Sequence, residues 1–218
     1  MSEIFKIAID GPSGAGKSTI AKAVARRLNI DYIDTGSMYR AIGLKMTGLG
    51  LAMEESEELQ KMLDETDIDF CSGDVILDGK VVNDLIRTPE MSMAASACSA
   101  LGMVRAKLVE LQRAMGQKKS VIMDGRDICS VVLPDAEYKY YLTASAEERA
   151  RRRTLELQEK GQQVNFQQVL EDIQQRDYND MNRAITPLKK ADDAVEIDST
   201  AMSIDQVVDF ICRPVEQK

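Results

Sequence analysis

One run of residues limits this chain more than any other feature: Gly11-Pro12-Ser13-Gly14-Ala15-Gly16-Lys17-Ser18, followed by Thr19. It fits the pattern G-x-x-x-x-G-K-[ST]. Before it, Ile4-Phe5-Lys6-Ile7-Ala8-Ile9 reads as a strand. After it, Ile20, Val24 and Leu28 at spacing four give a helix one apolar stripe. In this setting glycines let successive backbone N–H groups converge on a phosphate, and the helix N-terminus adds its positive end. Lys17 reaches β- and γ-phosphates, and the Ser18 hydroxyl suits Mg²⁺. The plain alternative is a tight strand–helix connection without chemistry. The stronger reading is a nucleoside triphosphate site, which leaves switches, motors and several kinds of kinase open.

The rest of the chain continues the strand–helix alternation. Asp31-Tyr32-Ile33 reads as a second strand, and Asp34-Thr35 caps a helix to about residue 44. Between 67 and 82 the texture changes: Val75-Ile76-Leu77 and Lys80-Val81-Val82 flank Asp78-Gly79, a two-residue hairpin signal. Two helices follow, the second with Val104, Leu108, Leu111 and Met115 on one face. Strands return at 120–124 and 138–142, helices at 146–158 and 166–181, then a strand at 194–197 and a helix at 203–211. The expected fold is α/β: a parallel sheet around the phosphate loop, flanked by helices, with a small antiparallel insertion. Residues 1–218 read as one domain with excursions at about 64–88 and about 152–164.

Composition removes several function classes. A formal net charge of −8 over 218 residues argues against a nucleic-acid polymer as partner. A mononucleotide needs only a few focused cations. No segment reaches the length of a membrane span, and the opening residues do not read as a signal peptide, so a cytoplasmic protein is expected. Cys71, Cys98, Cys129 and Cys212 are widely spaced and read as reduced thiols. With no histidine, any chemistry must run on Arg, Lys, Asp, Ser and backbone.

Three charged segments bear on the choice of substrate. Ser120-Val121-Ile122-Met123-Asp124-Gly125-Arg126-Asp127 is an apolar strand ending in a polar tetrad. Ligands of open α/β sheets bind at such strand ends. There Arg126 suits a phosphate and Asp127 an amino group, against the plain reading of a polar turn. In the helix near 166–183 the stripe Phe166, Val169, Ile173 continues as Arg176, Asp180, Arg183. It is either a helix entering a polar cleft or a surface Arg176–Asp180 pair. Arg149, Arg151, Arg152 and Arg153 are either a solvated face beside Glu147 and Glu148 or part of a lid.

Taken together, these pieces resemble bacterial cytidylate kinases from Ile7 to about Val208. The matching stretches begin with Ile9-Asp10-Gly11 through Thr19, Asp34-Thr35-Gly36-Ser37-Met38-Tyr39-Arg40 and Ile86-Arg87-Thr88-Pro89-Glu90. They continue with Asp124-Gly125-Arg126-Asp127-Ile128, Ser145-Ala146-Glu147-Glu148-Arg149-Ala150, and Arg176-Asp177 with Asp180 and Arg183. The resemblance implies transfer of the γ-phosphoryl group of ATP to CMP or dCMP, with Mg²⁺ and small-molecule partners. A monomer is expected. ATP falls to Gly11–Thr19 and the metal to Ser18 and Asp124. The CMP phosphate falls to Arg40, Arg126 and Arg183 with Thr35, cytosine to Ser96, Arg105 and Asp127, and ribose to Arg176 and Asp180. Residues 64–88 look like the family's insertion and 152–164 like its helical lid, with Arg152 and Arg153 joining Lys17 and Arg126 as catalytic cations.

Cytosine carries an N4 amino donor beside an N3 acceptor, which a carboxylate at Asp127 and a donor at Arg105 would complement. Uracil would set its O4 against the carboxylate, so CMP and dCMP are expected over UMP. The chain departs from the commonest family pattern at Cys129-Ser130, where many relatives have Gly-Thr. Glycine adopts positive φ and cysteine rarely does, so a changed backbone is expected there, together with a thiol open to reagents. A kinase for another small acceptor, such as shikimate, UMP or AMP, is the nearest rival. A guanine-nucleotide switch would need an Asn-Lys-x-Asp motif, which is lacking.

Overall fold

The computed structural model describes residues 4–71, 73–159 and 161–217. Ser72 in the expected insertion and Lys160 in the expected lid lie outside the described residues. In chain order the elements begin β1 (Lys6–Asp10), α1 (Lys17–Leu28), β2 (Asp31–Asp34), α2 (Thr35–Gly48) and α3 (Glu57–Asp64). Next come β3 (Ile68–Cys71), β4 (Asp74–Leu77), β5 (Lys80–Val81), α4 (Asn83–Ile86), α5 (Pro89–Cys98) and α6 (Gly102–Gly116). Then follow β6 (Val121–Gly125), a π-helical turn (Ile128–Val132), β7 (Tyr138–Thr143), α7 (Ala146–Glu159), α8 (Phe166–Asn182), β8 (Val195–Asp198) and α9 (Ile204–Glu216). They form two compact units: Met1–Tyr32 with Lys119–Lys218, and Ile33–Lys118.

The first unit is organised by a five-stranded sheet in the order β2-β6-β1-β7-β8. β1 runs parallel to both β6 and β7, with Ile7 opposite Ile122 and Tyr138, and β7 runs parallel to β8. Ile7, Ala8, Ile9, Val121, Ile122 and Met123 have no exposed surface. Their unbroken apolarity suits parallel strands covered on both faces. α1 buries Ile20 and Val24 against this sheet, as its spacing predicts, and α9 adds Val207, Val208, Ile211 and Cys212. α9 is longer than expected. It starts from a capping box between Ser203 and Gln206 and continues through Pro214, its last turn held by the ion pair of Glu216 with Arg27.

In the second unit Asp34 caps α2, its carboxylate accepting from the Ser37 N–H at 2.9 Å. α2 crosses α5 so closely at Gly43 that a Cβ there would stand 2.9 Å from that of Ala94. β3, β4 and β5 form an antiparallel sheet inside the expected 64–88 excursion. Asp78 and Gly79, with φ of 49° and 76°, make the tight turn that their sequence predicts. The one-turn α4 was not anticipated. The expected face of α6 is rotated: Val104 and Leu108 are buried, but Arg105 and Gln112 take the inner positions and leave Leu111 and Met115 half-buried. Apolar spacing misplaced that face because two polar side chains point inward.

Candidate active site

The phosphate loop leaves β1 through Gly11, whose φ is 150° and where a Cβ would land on the carbonyl oxygen of Leu142. Gly14 and Gly16 also have positive φ, and Gly16 begins α1 with no side chain capping it. The positive end of a 12-residue helix is thus left open to an anion. Lys17 Nζ donates to the carbonyls of Gly11 and Pro12, both at 2.7 Å. Burial, reinforced by the charge of Arg126, lowers its pKa to about 7. The Ser18 hydroxyl donates to Asp124 Oδ2 at 3.0 Å, and the Tyr32 hydroxyl to Asp124 Oδ1 at 2.7 Å. A hydroxyl and a carboxylate side by side are hard oxygen ligands suited to Mg²⁺. Among the described residues no group of three His, Cys, Asp or Glu forms a cage of its own. Such an ion would therefore depend on phosphate and water for its other ligands.

The tetrad 124–127 lies at the end of β6, with Gly125 opposite Asp10. Arg126 Nε donates to Asp180 Oδ2 at 2.7 Å. Burial opposes both charges, but Asp180, Asp124 and Asp177 raise the pKa of Arg126, and Arg126, Arg176 and Arg183 hold that of Asp180 down. The surface-pair reading of α8 therefore fails: Asp177 and Asp180 are buried in line with Val169 and Ile173. Arg183 follows α8 with extended backbone, bonds the Thr186 carbonyl, and brings Nη2 to 3.8 Å from Asp127.

The arginine run on α7 divides by destination. Arg149, which sequence reasoning did not assign, is buried and donates to the carbonyls of Ala144 and Ser13, while pairing with Asp177 at 2.7 Å. It ties the phosphate loop to α8. Arg151 pairs with Glu148 on the surface. Arg152 bonds Glu148 and both the hydroxyl and carbonyl of Ser199, and Arg153 pairs with Glu156. Asp10 was also missed, although a carboxylate closing an otherwise apolar strand is a visible signal. Burial raises its pKa to about 6 despite two backbone N–H donors from Ile128 and Cys129.

Cys129 corrects two expectations. It is not among the non-glycine residues with positive φ, so no strain attends it. Its thiol is buried and directed at the carbonyls of Ala8 and Tyr140, and burial raises its pKa further from reactivity.

The second unit carries the remaining predicted residues. Thr35 is buried at the start of α2. Arg40 Nη2 donates to Ser37 Oγ at 2.6 Å and to Asp34 Oδ2 at 3.1 Å, and its Nε is buried with no partner among the described residues. Arg105 is buried, lying 6.0 Å from the Tyr39 ring centroid and 3.4 Å from the Ser99 carbonyl. Ser96 is half-buried on α5. Glu55 accepts from the Gly102 and Met103 N–H groups and so caps α6 one turn before Arg105. The Ile86-to-Glu90 motif has a structural part as well, since Thr88 caps α5 and Pro89 opens it.

The sequence matches the cytidylate kinase family over residues 7–217. The cytidylate kinase of Clostridium perfringens is 50% identical over 217 residues, covering 100% of both chains. That of Caldicellulosiruptor saccharolyticus is 53% identical over 208 residues, 94% of this chain and 92% of its own. Among solved structures, an uncharacterized protein from Eubacterium ventriosum aligns with a TM-score of 0.54 at 15% identity, covering 99% of this chain and 100% of its own. A gluconokinase from Sinorhizobium meliloti aligns at 0.50 with 12% identity, covering 98% and 92%. The last two likenesses bear on fold alone. The sequence matches, over the full length of a chain with an intact phosphate loop, place it in the cytidylate kinase family.

Proposed function

We propose that the chain transfers the γ-phosphoryl group of ATP, bound with Mg²⁺, to CMP or dCMP, giving ADP and CDP or dCDP. The observation that carries this reading is the 124–127 turn at the sheet edge of the phosphate loop, with Arg126 against Asp180 and Arg183 near Asp127. ATP phosphates fall to the N–H groups of Gly11–Thr19, and Lys17 exchanges its two carbonyl partners for phosphate oxygens. Ser18 and Asp124 would hold the metal, which would supply charge neutralisation on the triphosphate.

Within the first unit Arg126 and Arg183 take the acceptor phosphate, Arg176 and Asp180 the ribose, and Asp127 the cytosine amino group. Within the second, Thr35 and Arg40 take phosphate, and Ser96 and Arg105 the base; the unmet Nε of Arg40 supports its part. The acceptor phosphate is already ionised at neutral pH, so positioning and charge neutralisation suffice without a histidine base. Residues 152–164 act as the lid. For that, Arg152 and Arg153 must release Ser199, Glu148 and Glu156 as it closes. The enzyme acts as a monomer in the cytoplasm. No helix among the described residues is long and apolar enough to cross a membrane.

The test is diphosphate formation from ATP·Mg²⁺ with CMP, dCMP, UMP, AMP and GMP under one set of conditions. Turnover concentrated on CMP and dCMP supports the reading. Equal turnover with UMP would remove the base assignment, and ATP hydrolysis without an acceptor product would remove the kinase.

A further inference from the structure

Asp10 is the polar end of a strand whose preceding three residues are fully buried and apolar, and it is itself only 1% exposed. Both carboxylate oxygens are engaged. Oδ1 accepts from the Ile128 N–H and Oδ2 from the Cys129 N–H, each at 2.8 Å. These are the first two amides of the π-helical turn that follows Asp127. Asp127 stands at the N-cap of that turn with φ −150° and ψ 26°; its carbonyl accepts from the Val131 and Val132 N–H groups, while its side chain does not cap the turn. The cap is therefore supplied from β1, by the residue directly before Gly11.

This arrangement is a poor choice for stability alone. A carboxylate is buried with its charge set near that of Asp127, which disfavours it further. Lys17 is close enough to offset part of this, but the hydrogen bonds come from two backbone amides and the Cys129 thiol rather than from a cation. A neutral Asn or Ser at a cap commonly serves a helical turn as well. What the carboxylate adds is two acceptors fixed in one plane, which set the two amides and so the direction in which the turn leaves Asp127.

Resting on the assignment of Asp127 to cytosine, we infer that Asp10 is a positioning residue for acceptor selection. It holds the backbone after Asp127 so that the Asp127 carboxylate meets the base, and it references that backbone to the phosphate loop. Asp10 touches neither nucleotide.

The test compares wild type, Asp10→Asn and Asp10→Ser in kinase assays with CMP and UMP, alongside thermal unfolding. Asn keeps the size of Asp but turns an NH₂ toward one of the two amides. The expected result is a rise of about tenfold in KM for CMP and a similar fall in the CMP-over-UMP ratio of kcat/KM. KM for ATP should move less than twofold. A purely structural role would lower the melting temperature and raise both KM values alike, and that outcome overturns the inference. If Asp10→Asn does not fold, Asp10→Ser, which loses the charge and the reach to both amides without adding bulk, carries the same expectation. A double variant with Asp127→Ala gives a second reading: Asp10→Asn should change the CMP-over-UMP ratio no further, and an undiminished effect would overturn the inference. Wild type without CMP turnover would overturn the functional reading itself. CMP-selective wild type beside a CMP-selective Asp10→Asn would overturn only the role of Asp10.

Discussion

Arg126 Nε lies 2.7 Å from Asp180 Oδ2, which joins the turn after β6 to the last turns of α8 through a pair with side chains 18% and 8% exposed. Removing one partner strands a buried charge. Asp180→Ala is expected to destabilise the chain by about 3 kcal/mol. Because the pKa of Asp180 is held below its ordinary 3.8, the stabilisation it brings is present above that value and lost as pH falls through the lower folded value. Urea unfolding of wild type and variant should differ at pH 7 and converge in acid. An unchanged gap at pH 3 would contradict a charged pair.

Asp10 has the opposite sign. Its pKa rises from 3.8 to about 6, so its contribution is complete below 3.8 and is lost as pH climbs through 6. The whole effect is about 3 kcal/mol, of which about half falls between pH 5 and pH 8. The stability of wild type relative to Asp10→Asn should therefore increase by about that amount from pH 8 to pH 5. A difference constant across this range would show that Asp10 keeps an ordinary pKa.

Arg149 holds the carbonyl of Ser13 and pairs with Asp177. Arg149→Met leaves the phosphate loop without this brace, and KM for ATP is expected to rise about tenfold. Arg149→Lys should recover only part of the loss, since an ammonium cannot reproduce a planar fork serving three acceptors. Steady-state kinetics with ATP varied at saturating CMP would decide it.

If Asp127 accepts from the cytosine amino group as proposed, Asp127→Ala should lower the CMP-over-UMP ratio of kcat/KM by about a hundredfold. A variant retaining full preference would move base selection elsewhere.

Cys129 should resist modification. With its thiol buried and its pKa raised, native enzyme treated with an aromatic disulfide should keep its activity, and mass spectrometry should find Cys129 unlabelled until denaturant is added. Rapid labelling of the native chain would contradict the packing.

Much of the frame was legible in the sequence because it rests on short-range rules. Gly11 through Ser18 carries its own geometry, Asp34 and the Asp78-Gly79 pair specify a cap and a turn, and Ile20 and Val24 mark a buried face. The arginines were legible as chemistry but not as partners. Nothing in the spacing of Arg149, Arg151, Arg152 and Arg153 separates the one that enters the core from those that stay on the surface, because the acceptors at Ser13 and Ser199 are distant in the chain. Asp10 escaped for the same reason, since its meaning depends on amides 118 and 119 positions away. The inner face of α6 was misplaced because buried Arg105 and Gln112 do not follow apolar periodicity.

The second unit is one continuous stretch, Ile33–Lys118, and in sequence it separates the two segments, Met1–Tyr32 and Lys119–Lys218, that make up the first. During synthesis that stretch emerges whole, whereas β1 must wait for β6 and β7 before either edge is paired. At roughly 5–20 residues per second the delay is on the order of ten seconds. The strand that leads into the phosphate loop is thus made well before the strands that shelter it. Over that interval its apolar run Ile7-Ala8-Ile9, fully buried in the folded chain, lacks its sheet partners and is open to aggregation.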